Sequence, residues 1–125
     1  MILEEQIRDA NRIATGYPDL VMKLVTIGVQ SYTVDVATGI ILYRFEGGRH
    51  VLHQQKCIAR TVAADFSREL TQQAVKDTQE GNTDYPGFMN AIAKAGVRFY
   101  EATFTGNLRV TYIGIDGLYE EEISV

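Results

Sequence analysis

Residues 83–104 read TDYPGFMNAIAKAGVRFYEATF, and residues 15–36, 68 positions earlier, read TGYPDLVMKLVTIGVQSYTVDV. In both, a Thr-x-Tyr-Pro phrase precedes an apolar stretch that ends in Gly-Val. Proline suits the first turn of a helix, where its missing N–H is not needed. It also pushes the preceding tyrosine out of the helical region, which puts that tyrosine at the boundary. The threonine two places earlier is polar enough to cap, so the phrase predicts a helix start. Leu20, Leu24 and Ile27 then recur at helical spacing, matched by Phe88, Ile92 and Ala95. Gly28 and Gly96 stand where a left-handed glycine closes a helix, with Val29 and Val97 as the apolar contact of a Schellman-type stop. A strand follows at once. Tyr32, Val34 and Val36 alternate with polar residues, and Tyr100, Ala102 and Phe104 repeat the alternation.

The correspondence extends over positions 7–36 and 75–104. Seven of those 30 pairs are identical: Asp9/Asp77, Thr15/Thr83, Tyr17/Tyr85, Pro18/Pro86, Gly28/Gly96, Val29/Val97 and Tyr32/Tyr100. Ordinary composition gives roughly two by chance. Further on the offset becomes 69, pairing Tyr43 with Tyr112 and Gly48 with Gly117. Upstream of each phrase lies another helical pattern. Ile2, Ile7, Ala10 and Ile13 mark one at about 2–14; Leu70, Ala74 and Val75 mark one at about 67–80, with Ser67 as its N-cap. ATG and TGN make hairpin turns, with return strands at about 40–46 and 108–113 and third strands at about 50–54 and 118–124.

The element order predicts an α+β fold: an ααβββ unit written twice by internal duplication, antiparallel β meanders with helices packed on one face, and an approximate pseudo-twofold. Whether the meanders join into one sheet is left open. The 125 residues are read as one domain, with the first repeat at about 1–55, a connection at about 56–66 and the second repeat at about 67–125. Within the connection, IARTVAA (58–64) reads as a short helix or a covering loop.

Composition narrows the function. Apolar residues make up 46% and charged residues 22%, as in ordinary globular chains. The net charge is −4 and the basic residues are scattered, which argues against a nucleic-acid partner. Cys57 stands alone, so no internal disulfide forms, in keeping with a reducing compartment. The opening MILEEQIRDA has acids where a secretory signal needs positive charge, and no stretch approaches the roughly 18 apolar residues of a membrane helix. The expectation is a soluble, cytoplasmic protein with no membrane partner.

The residues 83–104, followed by a glycine-containing hairpin and TYIGIDG (111–117), resemble an uncharacterised bacterial family, the YbcV-like proteins, often labelled phage envelope protein. The family's phrase is an acid-Tyr-Pro-x-Phe start, an Ala-Gly-Val stop and a strand beginning with Tyr. Residues 84–100 carry it, and residues 17–36 carry it with Leu20 in place of Phe and Ile27 in place of Ala. The resemblance covers nearly the whole chain. It implies a fold and brings no activity, cofactor or catalytic residue. The envelope label sits badly with a sequence expected to lack membrane-spanning and signal segments.

The densest group of reactive side chains is RHVLHQQKC (49–57), with His50, His53 and Cys57. These are potential metal ligands. On a strand, however, His50 and His53 point to opposite faces, and a solvated strand explains them better; no metal and no cofactor are expected. If the copies faced each other, Glu120, Glu121 and Glu122 would come near the histidines. Cys57, beside Lys56 and Arg60, has no nucleophile signature around it. Asp9 and Asp77 read as solvated helix faces. EGGR (46–49) lacks the Lys-Ser/Thr and the helix of a phosphate loop. The repeated tyrosines fit the edge of a core. No catalytic residue is assigned, and the balance leans away from an enzyme. The expected function is a non-enzymatic domain acting through an unidentified protein partner, self-association as a homodimer included. The alternative is a small-molecule binder or enzyme with a site between the repeats, built from Tyr17, Tyr85, His50 and His53.

Overall fold

The computed structural model describes residues 2–54 and 59–123. Among these the order is α1 (Leu3–Ile13), α2 (Tyr17–Thr26), β1 (Val29–Asp35), β2 (Ile40–Phe45), β3 (His50–Gln54), α3 (Arg68–Gln79), α4 (Tyr85–Lys94), β4 (Phe99–Thr103), β5 (Arg109–Ile113) and β6 (Leu118–Glu122). A short 3-10 turn, Glu46–Gly48, links β2 to β3.

The strands make one antiparallel sheet in the order β3-β2-β1-β4-β5-β6, so the fold is α+β. The two meanders join through β1 and β4. There Thr33 sits opposite Glu101, flanked by Ser31 opposite Thr103 and Asp35 opposite Phe99. Thr33 and Glu101 are 68 positions apart, the offset of the sequence correspondence, and the register is symmetric about them.

One face of the sheet is buried. Tyr32, Val34, Ile41, Tyr43, Val51, Tyr100, Ala102, Val110 and Tyr112 form a single core with Ile7 and Ala10 of α1, Leu24 of α2, Ala74 and Val75 of α3, and Phe88, Met89 and Ile92 of α4. The alternation of each strand supplies this face and leaves the other to solvent. Two helix stripes differ from the reading of the periodicity. In α1 only Ile7 and Ala10 are buried, while Ile2 and Ile13 are exposed. In α3 the buried position is Thr71 and Leu70 is exposed. Thr71 tolerates this because its hydroxyl donates to the Ser67 carbonyl one turn back, at 2.8 Å.

The helix starts also correct the capping assignment. Neither threonine caps. The carboxylate of Asp84 accepts from the Gly87 N–H at 2.8 Å and caps α4. The N-cap of α2 is Gly16, whose φ of +140° only glycine adopts readily, and no side chain caps it. Instead Asp19 reaches back to accept from the Thr15 N–H at 3.0 Å. That bond first, and Lys23 second, hold the Asp19 carboxyl below its ordinary value. Ser67 does cap α3, accepting from the Leu70 N–H at 3.1 Å.

The stops behave as written. Gly96 is left-handed, its N–H donates to Ala93, and the Val97 N–H donates to Ile92, the two bonds of a Schellman turn. Gly28 is left-handed too, with its N–H on Val25.

Residues 59–67 contain no helix; they are a covering segment. The Arg60 N–H donates to Ala37, Ala63 to Ala93 and Ser67 to Ala95, which ties the segment to both halves. The Phe66 ring lies on Gly114 and Gly117, where side chains would collide with it.

Candidate functional site

Tyr17 and Tyr85 open α2 and α4, and each reaches a strand tyrosine fifteen residues on. The Tyr17 and Tyr32 hydroxyls are 2.6 Å apart, and those of Tyr85 and Tyr100 are 3.4 Å apart. Tyr32 and Tyr100 meet edge to face at 6.4 Å, and each is flanked by a tilted ring, Tyr43 or Tyr112, at 5.6 Å. Six tyrosines thus gather on the buried face at the middle of the sheet. Tyr32, Tyr43, Tyr100 and Tyr112 supply core, Tyr17 and Tyr85 stay 39% and 43% exposed at its edge, and the hydroxyls bond in two pairs, Tyr17 with Tyr32 and Tyr85 with Tyr100.

The electrostatics of this cluster limit its chemistry. Burial pushes Tyr17 up to about 12; the bond from Tyr32 opposes the rise, and the neighbouring Tyr43 and Tyr85 add to it. Burial raises Tyr32 and Tyr100 well above the ordinary phenol value, and nearby hydroxyls push the same way. Tyr43 and Tyr112 are also raised, chiefly by burial. A general base works best with a pKa near the operating pH. These phenols are displaced in the opposite direction, so they stay protonated and hold helix starts to strands.

The histidines do not join this cluster. His50 lies on the opposite, open face of the sheet. His53 lies on the buried side of the edge strand β3, opposite Ile41. The four residues picked out as a ligand set therefore separate into two tyrosines together and two histidines apart from each other. Nor do the acids approach the histidines. β3 and β6 are the two outer edges, with four strands between, roughly 24 Å at ordinary strand spacing. Among the described residues no group of three His, Cys, Asp or Glu side chains is placed to hold a metal ion. Cys57 lies outside the described residues. Asp9 pairs with Arg12 at 3.1 Å and Asp77 accepts from Gln73 at 2.9 Å, both on exposed helix surface.

The open face has its own organisation. At its centre the Arg44 guanidinium donates to the Thr33 hydroxyl at 2.7 Å, and Thr33 donates to Glu101 at 3.1 Å, spanning β2, β1 and β4. Farther along, Thr111 donates to Glu120 at 3.0 Å, with Arg109 3.8 Å from the same carboxylate. Around these lie apolar side chains at positions the alternation assigns to solvent. Leu52 is 63% exposed, Leu118 59% and Phe99 38%, and Ile40, Leu42 and Ile113 are half-buried. A shallow cavity of about 440 Å³ is lined by Leu42, Arg44, Gly48, His50 and Leu52. Of this surface only His50 and Glu120 were singled out from sequence, and the apolar residues were not. The available signal was parity: Leu42, Leu52, Phe99 and Leu118 fall out of phase with the buried residues of their own strands.

A family model described as Protein of unknown function (DUF1398) matches residues 5–121. The chain belongs to this family. A search of curated proteins gave no match. The family match spans both tyrosine pairs and all of the sheet but its last residue, Glu122. No helix among the described residues is long and apolar enough to cross a membrane.

Proposed function

We propose that this protein is a single-domain, non-enzymatic module that docks another protein chain on the open face of its sheet. The observation that carries this reading is the exposure of Leu52, Leu118 and Phe99 on a face that no helix among the described residues covers. Apolar surface gathered on one face and rimmed by polar groups is characteristic of association surfaces. The rival, a small-molecule site between the halves, is weakened by the tyrosine hydroxyls, which bond in pairs, and by the burial that holds Tyr17, Tyr32 and Tyr100 neutral. The equal element order of the halves and the symmetric register at Thr33 and Glu101 support an origin by internal duplication. The phrase shared with the YbcV-like proteins supports a bacterial source; the envelope label adds nothing to the reading. The single cysteine supports a reducing, cytoplasmic setting.

Site-specific photocrosslinking in cells tests the docking face. A photoreactive residue in place of Leu52 or Leu118 is expected to yield protein adducts, and one in place of Met22, exposed on α2, is expected to yield none. Adducts at Met22 alone, or at no position, would remove the reading.

A further inference from the structure

We infer that the edge strand β3 pairs antiparallel with β3 of a second copy of this chain, on a twofold axis that passes through Leu52. The contact lies at the rim of the sheet and does not depend on what docks on the open face. The ladder fixes which backbone groups β3 leaves over. The Phe45 N–H donates to the Arg49 carbonyl, and the same register continues as Tyr43 opposite Val51 and Ile41 opposite His53. Bonded pairs recur at every second residue of an antiparallel ladder. Val51 and His53 therefore turn their N–H and C=O towards β2, and His50, Leu52 and Gln54 turn theirs outward. Among the described residues no strand lies beyond β3, and no backbone hydrogen bond reaches these outward groups.

The two rims of the sheet differ. β6 guards its edge with Glu120, Glu121 and Glu122, and charged edge strands resist pairing. β3 reads HVLHQ, with no Asp, Glu, Lys, Arg or Pro and no break in its register. Its middle residue, Leu52, is 63% exposed. An unguarded edge of this kind is a template for a further strand.

Two copies can join their edges in three ways. β6 on β6 about its centre sets Glu120 against Glu120, and like charges directly opposite are destabilising. β3 on β6, aligned centre to centre, sets Leu52 against Glu120 and repeats head to tail without closing. β3 on β3 about Leu52 gives every outward N–H and C=O a partner: Leu52 bonds Leu52 of the second copy, and His50 bonds its Gln54 on either side. On the open face the exposed leucine then lies against its own counterpart, and on the other face Val51 sits opposite His53. No like charges are set together. The twofold closes the assembly, and the carboxylates of β6 stand at both ends of the joined sheet. A five-residue pairing is a small interface, so the dimer is expected to be weak, forming at micromolar concentration and above.

The test is a charge exchange at the axis, read by sedimentation velocity on the full chain. Because residue 52 meets itself, Leu52→Lys sets Lys against Lys and Leu52→Glu sets Glu against Glu; only a mixture of the two brings opposite charges together. Leu52 is exposed, so circular dichroism should show both variants folded. Wild type is expected to dimerise, each variant alone to dissociate about tenfold more readily, and an equimolar mixture to recover association. A wild type that stays monomeric at every concentration would overturn the pairing, as would variants that dimerise like wild type or a mixture that does not recover. Amide exchange on wild type needs no variant. His50, Leu52 and Gln54 should gain protection as concentration rises, and Glu120 on the far rim should not. Protection that grows at Glu120 instead would place the contact on the other edge and overturn the pairing. Adducts at Leu118 read the open face separately. Their absence with the dimer intact removes the docking face and leaves the edge standing; their presence with no dimer does the reverse.

Discussion

Gly28 and Gly96 close equivalent helices with the same left-handed turn, yet they sit in different surroundings. The nearest neighbour to a side chain at Gly28 would be the Phe45 ring at 3.9 Å. At Gly96 the same carbon would overlap the Asp65 carbonyl, where the covering segment crosses the second half. The turn is shared, and the load on it is not. The tyrosine pairs differ in the same way: 2.6 Å between hydroxyls in the first half and 3.4 Å in the second. Likeness of sequence thus specifies local geometry in both halves, while the covering segment crowds Gly96 and leaves Gly28 open.

The largest expected effect treats both halves together. Tyr17, Tyr32, Tyr43, Tyr100 and Tyr112 are held neutral in the fold, whereas in the unfolded chain they ionise near pH 10. Raised folded values mean that this stability is fully present below about pH 10. It is lost as the pH climbs from there through about 12, where Tyr17 itself ionises. Alkaline titration should therefore show tyrosinate absorbance rising together with loss of circular dichroism. Gradual ionisation of these five with the fold intact would contradict the cluster.

The next effect separates the halves. Gly28→Ala should cost about 1–2 kcal/mol, the strain of a left-handed alanine. Gly96→Ala carries that strain and a backbone collision as well, for a total of about 3–5 kcal/mol. Urea denaturation measures both, and equal losses would erase the distinction. Smaller again is the difference between tyrosine pairs. Tyr17→Phe removes the oxygen against which the buried Tyr32 hydroxyl rests, at about 1–2 kcal/mol. Tyr85→Phe removes a bond at the long limit of geometry and should cost about half as much or less. The smallest effect concerns the caps. Asp84→Ala should cost about 1 kcal/mol, and Thr83→Ala less than about 0.5 kcal/mol. Thermal melts that reversed this order would restore the threonine as the cap.

Much of this was legible because the deciding signals are local. Proline at 18 and 86 and glycine at 28 and 96 act on their own backbone, so helix starts and stops are read within a residue or two. Alternation around Tyr32 and Tyr100 gave the buried face, and the same rule placed His50 and His53 on opposite sides. What escaped depends on contacts between distant residues. Nothing near Thr33 announces that its partner is Glu101. Phe66 looks like any loop aromatic until Gly114 and Gly117 are brought beneath it. Asp84 and Thr83 are both capping residues by type, and only backbone geometry chooses between them. The tyrosine pairs were half visible: the interval of fifteen occurs in both halves, but a shared interval does not say that two hydroxyls meet.

The seam between β1 and β4 has a consequence in time. Every other strand pairing joins strands adjacent in the chain, across short turns. The seam joins residues 68 positions apart and must close a long loop before it gains a contact. Local pairings form sooner than distant ones, so the expected order of folding is two meanders first and the centre of the sheet last. Pulse-labelled hydrogen exchange during refolding would show it as late protection at Thr33 and Glu101, the residues that lie deepest between the edges of the finished sheet.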